Sequence, residues 1–111
     1  MVSNHGGRQL DSAPAAISAL PAVADAVGGR TEVIFDSGIR SGQDVMKALA
    51  LGADGTMIGK AFLYGLGALG KPGVTKALAL IRSELDVSMA LTGVNRIDEI
   101  DRRVLWPPEP P

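Results

Sequence analysis

The stretch Glu32–Gly42, with the sequence EVIFDSGIRSG, decides the fold of this chain. Its first four residues, 32–35, form an apolar run of β-type residues, which indicates a buried parallel strand. A turn rich in glycine and hydroxyl groups follows. Ser41 and Asp44 then have the spacing of a capping box, with Asp in place of the usual Glu, and predict a helix over Val45–Leu51. The stretch is therefore one strand–turn–helix unit.

A second unit of the same kind lies on the C-terminal side. Gly55–Ile58 is a predicted strand, Gly59 and Lys60 form its turn, and Ala61–Leu69 is a short predicted helix. A longer helix is expected to begin at Pro72 or Val74 and to end near Leu91. One apolar face of that helix is predicted from residues spaced three and four apart: Val74, Leu78, Ile81, Leu85 and Met89.

Helical segments are also expected near both ends of the chain. Ser12 is a candidate N-cap with Pro14 inside the first turn, and the alanine-rich segments 15–20 and 22–27 are helical in character, with a break at Pro21. A last short helix is predicted over Ile97–Val104. We expect one domain over residues 1–104 and a proline-rich tail over residues 105–111.

Alternating strands and helices of this kind predict an α/β fold with a parallel sheet. In such folds ligands bind at the C-terminal ends of the strands. In a barrel, phosphate binds at the loops after the last two strands and at a short extra helix. The segment that follows Gly59 has the size of that extra helix.

Composition excludes several classes of function. The chain has 111 residues, a hydrophobic content of 46%, a net charge of −1, one histidine and no cysteine. A nucleic-acid partner lacks electrostatic support, disulfides are excluded, and a histidine- or cysteine-rich metal site cannot form. Neither a membrane-length apolar run nor a signal-peptide pattern is present. The expected compartment is the cytoplasm, with peripheral membrane contact left open.

Two groups of residues could carry chemistry. His5 and Arg8 are separated by two glycines, and an imidazole beside a fixed cation suits proton transfer on an anionic substrate. The segment 36–40 and the pair Gly59-Lys60 could cradle a phosphate. Taken from spacing alone, an exposed loop histidine and two ordinary turns explain the same residues. Four other cations are interpreted as solvated surface: Lys47, Arg82, Arg102 and Arg103.

Residues 3–11, SNHGGRQLD, resemble the active-site signature of the FMN-dependent α-hydroxy-acid dehydrogenases and oxidases. The segment DSGIR at 36–40, residues 47–54 and the pair Ile58-Gly59 resemble the phosphate segment of the same family. The resemblance continues to about Val104 and so covers nearly the whole chain. The first signature is highly specific, whereas the phosphate segment is shared more widely among phosphate-binding barrels.

The resemblance implies a substrate site in the first loop. His5 would be the catalytic base, at the C-terminal end of the sixth barrel strand, and would take a proton from the substrate. Arg8 would hold the substrate carboxylate, which a guanidinium can bind through two hydrogen bonds. Asp11 is expected to support the loop around His5.

The resemblance also implies FMN as the cofactor. Four residues would hold it, mainly by its phosphate and ribityl portion: Asp36, Gly38, Arg40 and Gly59. Ser37 stands where the family usually has a second glycine, and we expect the turn to remain possible. Lys60 stands where the family usually has arginine, so we expect a weaker or differently placed phosphate contact because lysine lacks the planar fork.

The resemblance covers only the end of the sixth strand and the last two βα units of an eight-unit barrel, which typically needs about 250 residues. We therefore predict the C-terminal portion of a TIM (β/α)8 barrel, incomplete, with its C-terminal helices. The aspartate that partners the histidine in the family, its active-site tyrosines and the lysine beside the flavin have no counterpart here. The isolated chain is accordingly expected to bind FMN weakly or not at all and to be inactive.

The implied activity of the parent enzyme is oxidation of an L-2-hydroxy acid, with L-lactate as the first candidate, to the 2-oxo acid. The electron acceptor stays open between oxygen, quinone and cytochrome. A homo-oligomer or a complementing N-terminal half is a candidate partner. Two other hypotheses remain: a non-catalytic remnant that serves as an interaction module, and another FMN- or phosphate-binding barrel.

Overall fold

The computed structural model describes residues 1–106, which form four α-helices, two short strands and two 3₁₀ turns. In chain order the elements are α1 (Ala16–Val27), β1 (Ile34–Phe35), α2 (Gly42–Ala50), β2 (Gly55–Thr56), α3 (Lys60–Leu69), α4 (Lys71–Thr92) and the turns Ile97–Glu99 and Arg102–Val104. The predicted alternation of strands and helices is thus present.

The sheet is parallel, and β1 lies in its middle. Ile34 and Phe35 pair in parallel with Gly55 and Thr56 of β2. On the opposite edge Val2 forms a parallel bridge with Phe35: its amide donates to the Ile34 carbonyl, and its own carbonyl accepts from the Asp36 amide, both at 2.8 Å. Because all three segments run in the same direction, their C-terminal ends meet at one edge of the sheet.

Two apolar clusters hold the helices to this sheet. The first lies between α1, the sheet and α2, and its largest fully buried side chains are Phe35 and Leu20. The second joins α2 to α4 and to the first 3₁₀ turn through Met46, Met89 and Ile100. Helix α2 contributes to both clusters, so its position links the sheet to the C-terminal helices.

Helix α1 corrects two expectations. It begins at Ala16 with Ala15 as an N-cap that makes no side-chain cap, rather than at Ser12, and it continues through Pro21 without a break. The residue before a proline avoids the helical region, so Pro14 delays the helix start. Burial of Leu20 in the first cluster stabilises the helix across Pro21, where a backbone donor is missing.

Helix α2 confirms the predicted capping box. The Asp44 amide donates to Ser41 Oγ, and the Asp44 carboxylate accepts from the Ser41 amide at 3.0 Å. The helix begins at Gly42, three residues before the predicted start, and the Gly42 amide donates to the Glu84 carboxylate of α4 at 2.8 Å. The start of α2 is therefore closed by side chains from two elements.

Helix α4 is only partly a core helix, which corrects its predicted apolar face. Met89 is buried and Ile81 and Leu85 are half-buried, whereas Leu78 keeps 52% of its surface exposed. Helix α3, which packs along the N-terminal part of α4, contains no fully buried residue. The face therefore meets α2 through its C-terminal half alone.

The C-terminal segment forms two 3₁₀ turns instead of the predicted helix over Ile97–Val104. An exposed ion pair stands beside each turn, Arg96 with Asp98 and Arg103 with Asp101. The hydrogen bond from each guanidinium holds the pKa of its partner carboxyl below the usual value. Each ion pair is therefore intact at pH values above the usual carboxyl pKa, and it breaks when the carboxyl is protonated at lower pH. Residues 107–111 of the predicted tail lie outside the described part.

Replacing Gly42 by alanine is expected to destabilise the chain by about 1–3 kcal/mol, since overpacking has that cost. A Cβ at this position would fall on the α4 backbone at Glu84 and Leu85, and 2.6 Å from the Ile81 carbonyl oxygen. The free energy of unfolding from urea titration measures the effect.

Gly67→Ala is the matched control. Gly67 lies inside α3, and a Cβ there meets no atom within 4 Å. Removing a helical glycine at an open position should stabilise the chain by about 0.5–1 kcal/mol. Equal unfolding free energies for the two variants would contradict a close contact between α2 and α4.

Candidate functional site

An open cleft of about 920 Å³ lies at the C-terminal edge of the sheet. It is formed where the segments after Val2, β1 and β2 leave the strands. All of the candidate site residues from the sequence line it: His5, Arg8, Asp36, Ser37, Gly38, Arg40, Gly59 and Lys60. The two groups of residues that spacing alone could not connect thus face one space.

The loop that carries His5 is built from left-handed backbone. His5, Gly6, Gly7 and Arg8 have φ values of 51°, 76°, 73° and 44°. Asn4 tightens this loop, because its side-chain oxygen accepts from the Gly6 amide at 2.9 Å and its carbonyl accepts from Gly7 at 2.9 Å. Glycine adopts such angles without steric cost, so the two glycines allow the sharp bend.

Asn4 also ties the loop to helix α1. Its side-chain amide donates to the Pro14 carbonyl at 3.0 Å, just before α1 begins. Both ends of the Asn4 amide group are thereby used. Asp11, expected to support the loop around His5, instead accepts from the Ser12 amide at 2.9 Å and does not line the cleft.

A network of two hydroxyls and one carboxylate joins the first loop to the turn after β1. Ser3 Oγ donates to the Asp36 carboxylate at 2.6 Å and lies 3.2 Å from Ser37 Oγ. In return, Ser3 Oγ accepts from the His5 amide at 3.0 Å, and Ser37 Oγ accepts from the Asn4 amide at 3.3 Å. The Asp36 carboxylate is therefore connected to the His5 loop through Ser3.

The two helix starts near the cleft differ in their free donors. At α2 the amides of Arg40 and Ser41 donate to the Asp44 carboxylate, and Gly42 donates to Glu84. At α3, Gly59 makes no side-chain cap, and within residues 1–106 the amides of residues 60–62 have no acceptor. Unpaired amides at a helix start attract anions, so the start of α3 is the end of the cleft better suited to an anionic group.

Positive side chains dominate the cleft wall. Arg8, Arg40 and Lys60 line it, and so does Lys47 of α2, which the sequence reading assigned to solvated surface. Asp36 and Asp44 are the acidic residues among the lining side chains, and both already accept hydrogen bonds from the chain. The cleft is therefore suited to a negatively charged ligand.

Sequence reasoning assigned no role to three residues that shape the site: Ser3, Asn4 and Lys47. Ser3 and Asn4 lie inside the His5 signature, and an Asn two residues before a glycine is a turn signal that could have indicated the role of Asn4. Lys47 follows Asp44 by three positions, one turn along α2. That spacing places it on the face that begins at the capping box.

Residues 1–106 contain neither a candidate metal site nor a candidate membrane-spanning helix. No cluster of three or more His, Asp or Glu side chains is placed to hold a metal ion. No helix there has the length and apolar character needed to cross a bilayer.

Known proteins are similar to this chain in sequence and in architecture. The sequence is 56% identical over 105 residues to an L-lactate dehydrogenase of Caulobacter sp. (strain K31), covering 95% of this chain and 28% of that protein. It is 50% identical over 106 residues to a 2-hydroxyacid oxidase of Dictyostelium discoideum, covering 96% and 27%. This chain thus spans less than a third of the length of these relatives.

A solved structure of a mandelate oxidase variant, which carries an FMN monooxide adduct, superposes with a TM-score of 0.85 at 44% identity. The match covers 91% of this chain and 32% of that one. The prediction of a partial TIM barrel is confirmed by this likeness. The FMN-dependent dehydrogenase profile matches residues 1–107, and the predicted resemblance is thereby confirmed. This chain belongs to the FMN-dependent dehydrogenase family.

Proposed function

We propose that this chain supplies the base, the substrate-carboxylate anchor and the FMN phosphate anchor of an enzyme that oxidises an L-2-hydroxy acid to the 2-oxo acid. L-lactate is the first candidate substrate, because L-lactate dehydrogenase is among its relatives at more than half identity. The observation that carries the proposal is the single cleft that holds His5 and Arg8 together with the turns after β1 and β2.

The phosphate side of the cleft fits FMN. Unpaired amides begin α3, and a Cβ built at Gly59 or Gly38 meets nothing within 4 Å, so a ligand can approach the backbone there. Arg40 and Lys60 add positive charge on either side. These donors match the three acceptor oxygens of a phosphate monoester.

The substrate side is the His5 loop. Within residues 1–106 the His5 imidazole makes no hydrogen bond and no ion pair, so its ring nitrogens remain available to a ligand in the cleft. Arg8 follows on the same left-handed turn and lines the same wall. A carboxylate held by Arg8 would bring the neighbouring hydroxyl-bearing carbon toward His5.

The chemistry divides between these groups. Bound FMN would accept the two electrons that leave the substrate. Of the two protons that leave the substrate with these electrons, His5 would accept one and the cofactor the other. Arg8 would hold the carboxylate through the reaction.

An interaction module is the second candidate, and exposed apolar side chains favour it. Tyr64 and Leu69 of α3 keep 74% and 64% of their surface exposed, and Leu91 of α4 keeps 83%. In a complete barrel such surfaces and both sheet edges are normally covered. Mixing this chain with the missing portion of a relative separates the candidates, because association without flavin-dependent oxidation supports the module.

The chain alone is expected to be inactive, whereas a mixture with the missing portion of a relative should oxidise L-lactate. The portion of the Caulobacter L-lactate dehydrogenase that this chain does not match is the suitable partner. In that mixture His5→Asn should lower the rate by about 10²–10⁴-fold, the usual contribution of a general base. Reduction of a dye acceptor measures the rate.

FMN fluorescence quenching provides the control, since His5→Asn should leave FMN affinity unchanged. An active mixture that keeps its rate after His5→Asn would contradict the assignment of the base. Lactate-dependent flavin bleaching by the chain alone would contradict its expected inactivity.

Arg8→Lys should raise the KM for L-lactate in the same mixture by about 10- to 100-fold, because lysine cannot donate two parallel hydrogen bonds to a carboxylate. Arg30→Lys is the matched control: Arg30 donates to the Val27 and Ala26 carbonyls at the end of α1, and it does not line the cleft. If the mixtures with Arg8→Lys and with Arg30→Lys both had the KM of the mixture with the unmodified chain, Arg8 would not be the carboxylate anchor.

Lys60→Ala should weaken FMN binding by about tenfold or more, the size of one charge-assisted hydrogen bond. Lys60→Arg should tighten it, because a guanidinium binds phosphate through two hydrogen bonds. Isothermal titration of the same mixture with FMN, and with riboflavin as the ligand that lacks phosphate, measures the difference. Lys71→Ala, at the start of α4 and outside the cleft, is the control; a loss of riboflavin affinity equal to that of FMN would contradict a phosphate contact.

A further inference from the structure

We propose that Ser37 is a positioning residue for His5, which it holds through Ser3 and through the amide of Asn4. The role of His5 as the base rests on the proposed function, whereas the contact between the loops does not. Ser37 belongs to the turn after β1 and His5 to the loop after Val2, more than thirty residues apart in sequence. Their connection is made by side-chain oxygens.

The hydrogen-bond directions in this network follow from the chemistry of its members. The Asp36 carboxylate only accepts, so Ser3 Oγ gives its proton to Asp36 at 2.6 Å. Ser37 Oγ then gives its proton to Ser3 Oγ at 3.2 Å or to Asp36 at 3.4 Å. Both hydroxyl protons are used in these contacts, so the lone pairs of the two oxygens are available to accept from backbone amides.

Two consecutive amides of the first loop use those lone pairs. Asn4 donates to Ser37 Oγ at 3.3 Å, and His5 donates to Ser3 Oγ at 3.0 Å. Neither amide belongs to the sheet or to a helix, so these hydroxyls are their acceptors. Removing the Ser37 hydroxyl would leave the Asn4 amide unpaired and would remove one of the two partners that orient Ser3.

The backbone of Ser37 gives a second, independent reason. Its φ of 95° lies in the region that favours glycine, and the next residue, Gly38, has a φ of 84°. A serine at such an angle is strained, and strain of this kind clusters at functional positions. Glycine would form the same turn without that cost, and what it lacks is the hydroxyl that reaches Asn4.

Ser12 is a matched comparison inside the same chain. It also has a left-handed backbone, with φ 62°, and it lies in the same N-terminal segment. In the described part of the chain its hydroxyl makes no hydrogen bond, and only its amide does, to Asp11. Ser12→Gly therefore relieves backbone strain without removing a contact to the His5 loop.

The test compares Ser37→Gly, Ser37→Ala and Ser12→Gly by amide hydrogen exchange and by the NMR shifts of the His5 ring, in the full chain without FMN. Both Ser37 variants should raise the exchange rate at Asn4 and His5 by roughly three- to tenfold, the scale of one lost hydrogen bond. The His5 ring shifts should move with them. Ser12→Gly should change neither.

The amide exchange rates in α1 and α2 report whether each variant is folded. Ser37→Gly is the variant expected to remain folded, because glycine adopts the backbone angle of this position without strain. The proposal is overturned if Ser37→Gly retains the exchange rates and ring shifts of the unmodified chain while Ser37→Ala changes them, because Ser37 would then act only on the turn. It is equally overturned if neither variant changes them. No flavin or substrate is present in this test. A failure to detect L-lactate oxidation would therefore not affect its result, and a failure of this test would not contradict the proposed function.

Discussion

The parallel pairing of β1 with a neighbour on each side is the constraint on which the site depends. Val2 bonds to one edge of β1 and β2 to the other, and Phe35, only 1% exposed, anchors the centre. Each segment contributes a single loop at its C-terminal end. Parallel direction alone therefore places the His5 loop, the Asp36 turn and the start of α3 at one edge, although they are distant in sequence.

The two helix starts at that edge show how similar turns acquire different roles. Both follow a short strand through a glycine-containing turn. At α2 the amides of Ser41 and Gly42 donate to the Asp44 and Glu84 carboxylates, which stabilises the helix and leaves fewer donors for an anion. At α3 the donors stay open and Lys60 stands beside them. A capping residue in sequence thus argues against, rather than for, a phosphate at that helix.

The sequence predicts local features well, because their causes are local. The capping box of Ser41 lies within four residues, and the segments around His5 and Gly59 follow known loop patterns. What it could not predict depends on distant packing. Pro21 stays helical because Leu20 beside it is buried, and Lys47 faces the cleft because of how α2 is rotated on the sheet. The pairing of Val2 likewise requires a partner more than thirty residues away.

Helix α4 explains how the turn after β1 and the start of α3 keep their separation. It meets α2 at Gly42, where a side chain would collide with its backbone, and it meets α3 through Gly73 against Gly65, again with no space for a side chain. Backbones that approach this closely cannot slide without losing contact along both helices. Because α4 contacts both α2 and α3, it fixes the distance between the turn after β1 and the start of α3. A surface helix with few buried side chains, by its glycine contacts, becomes a determinant of the geometry of the cleft.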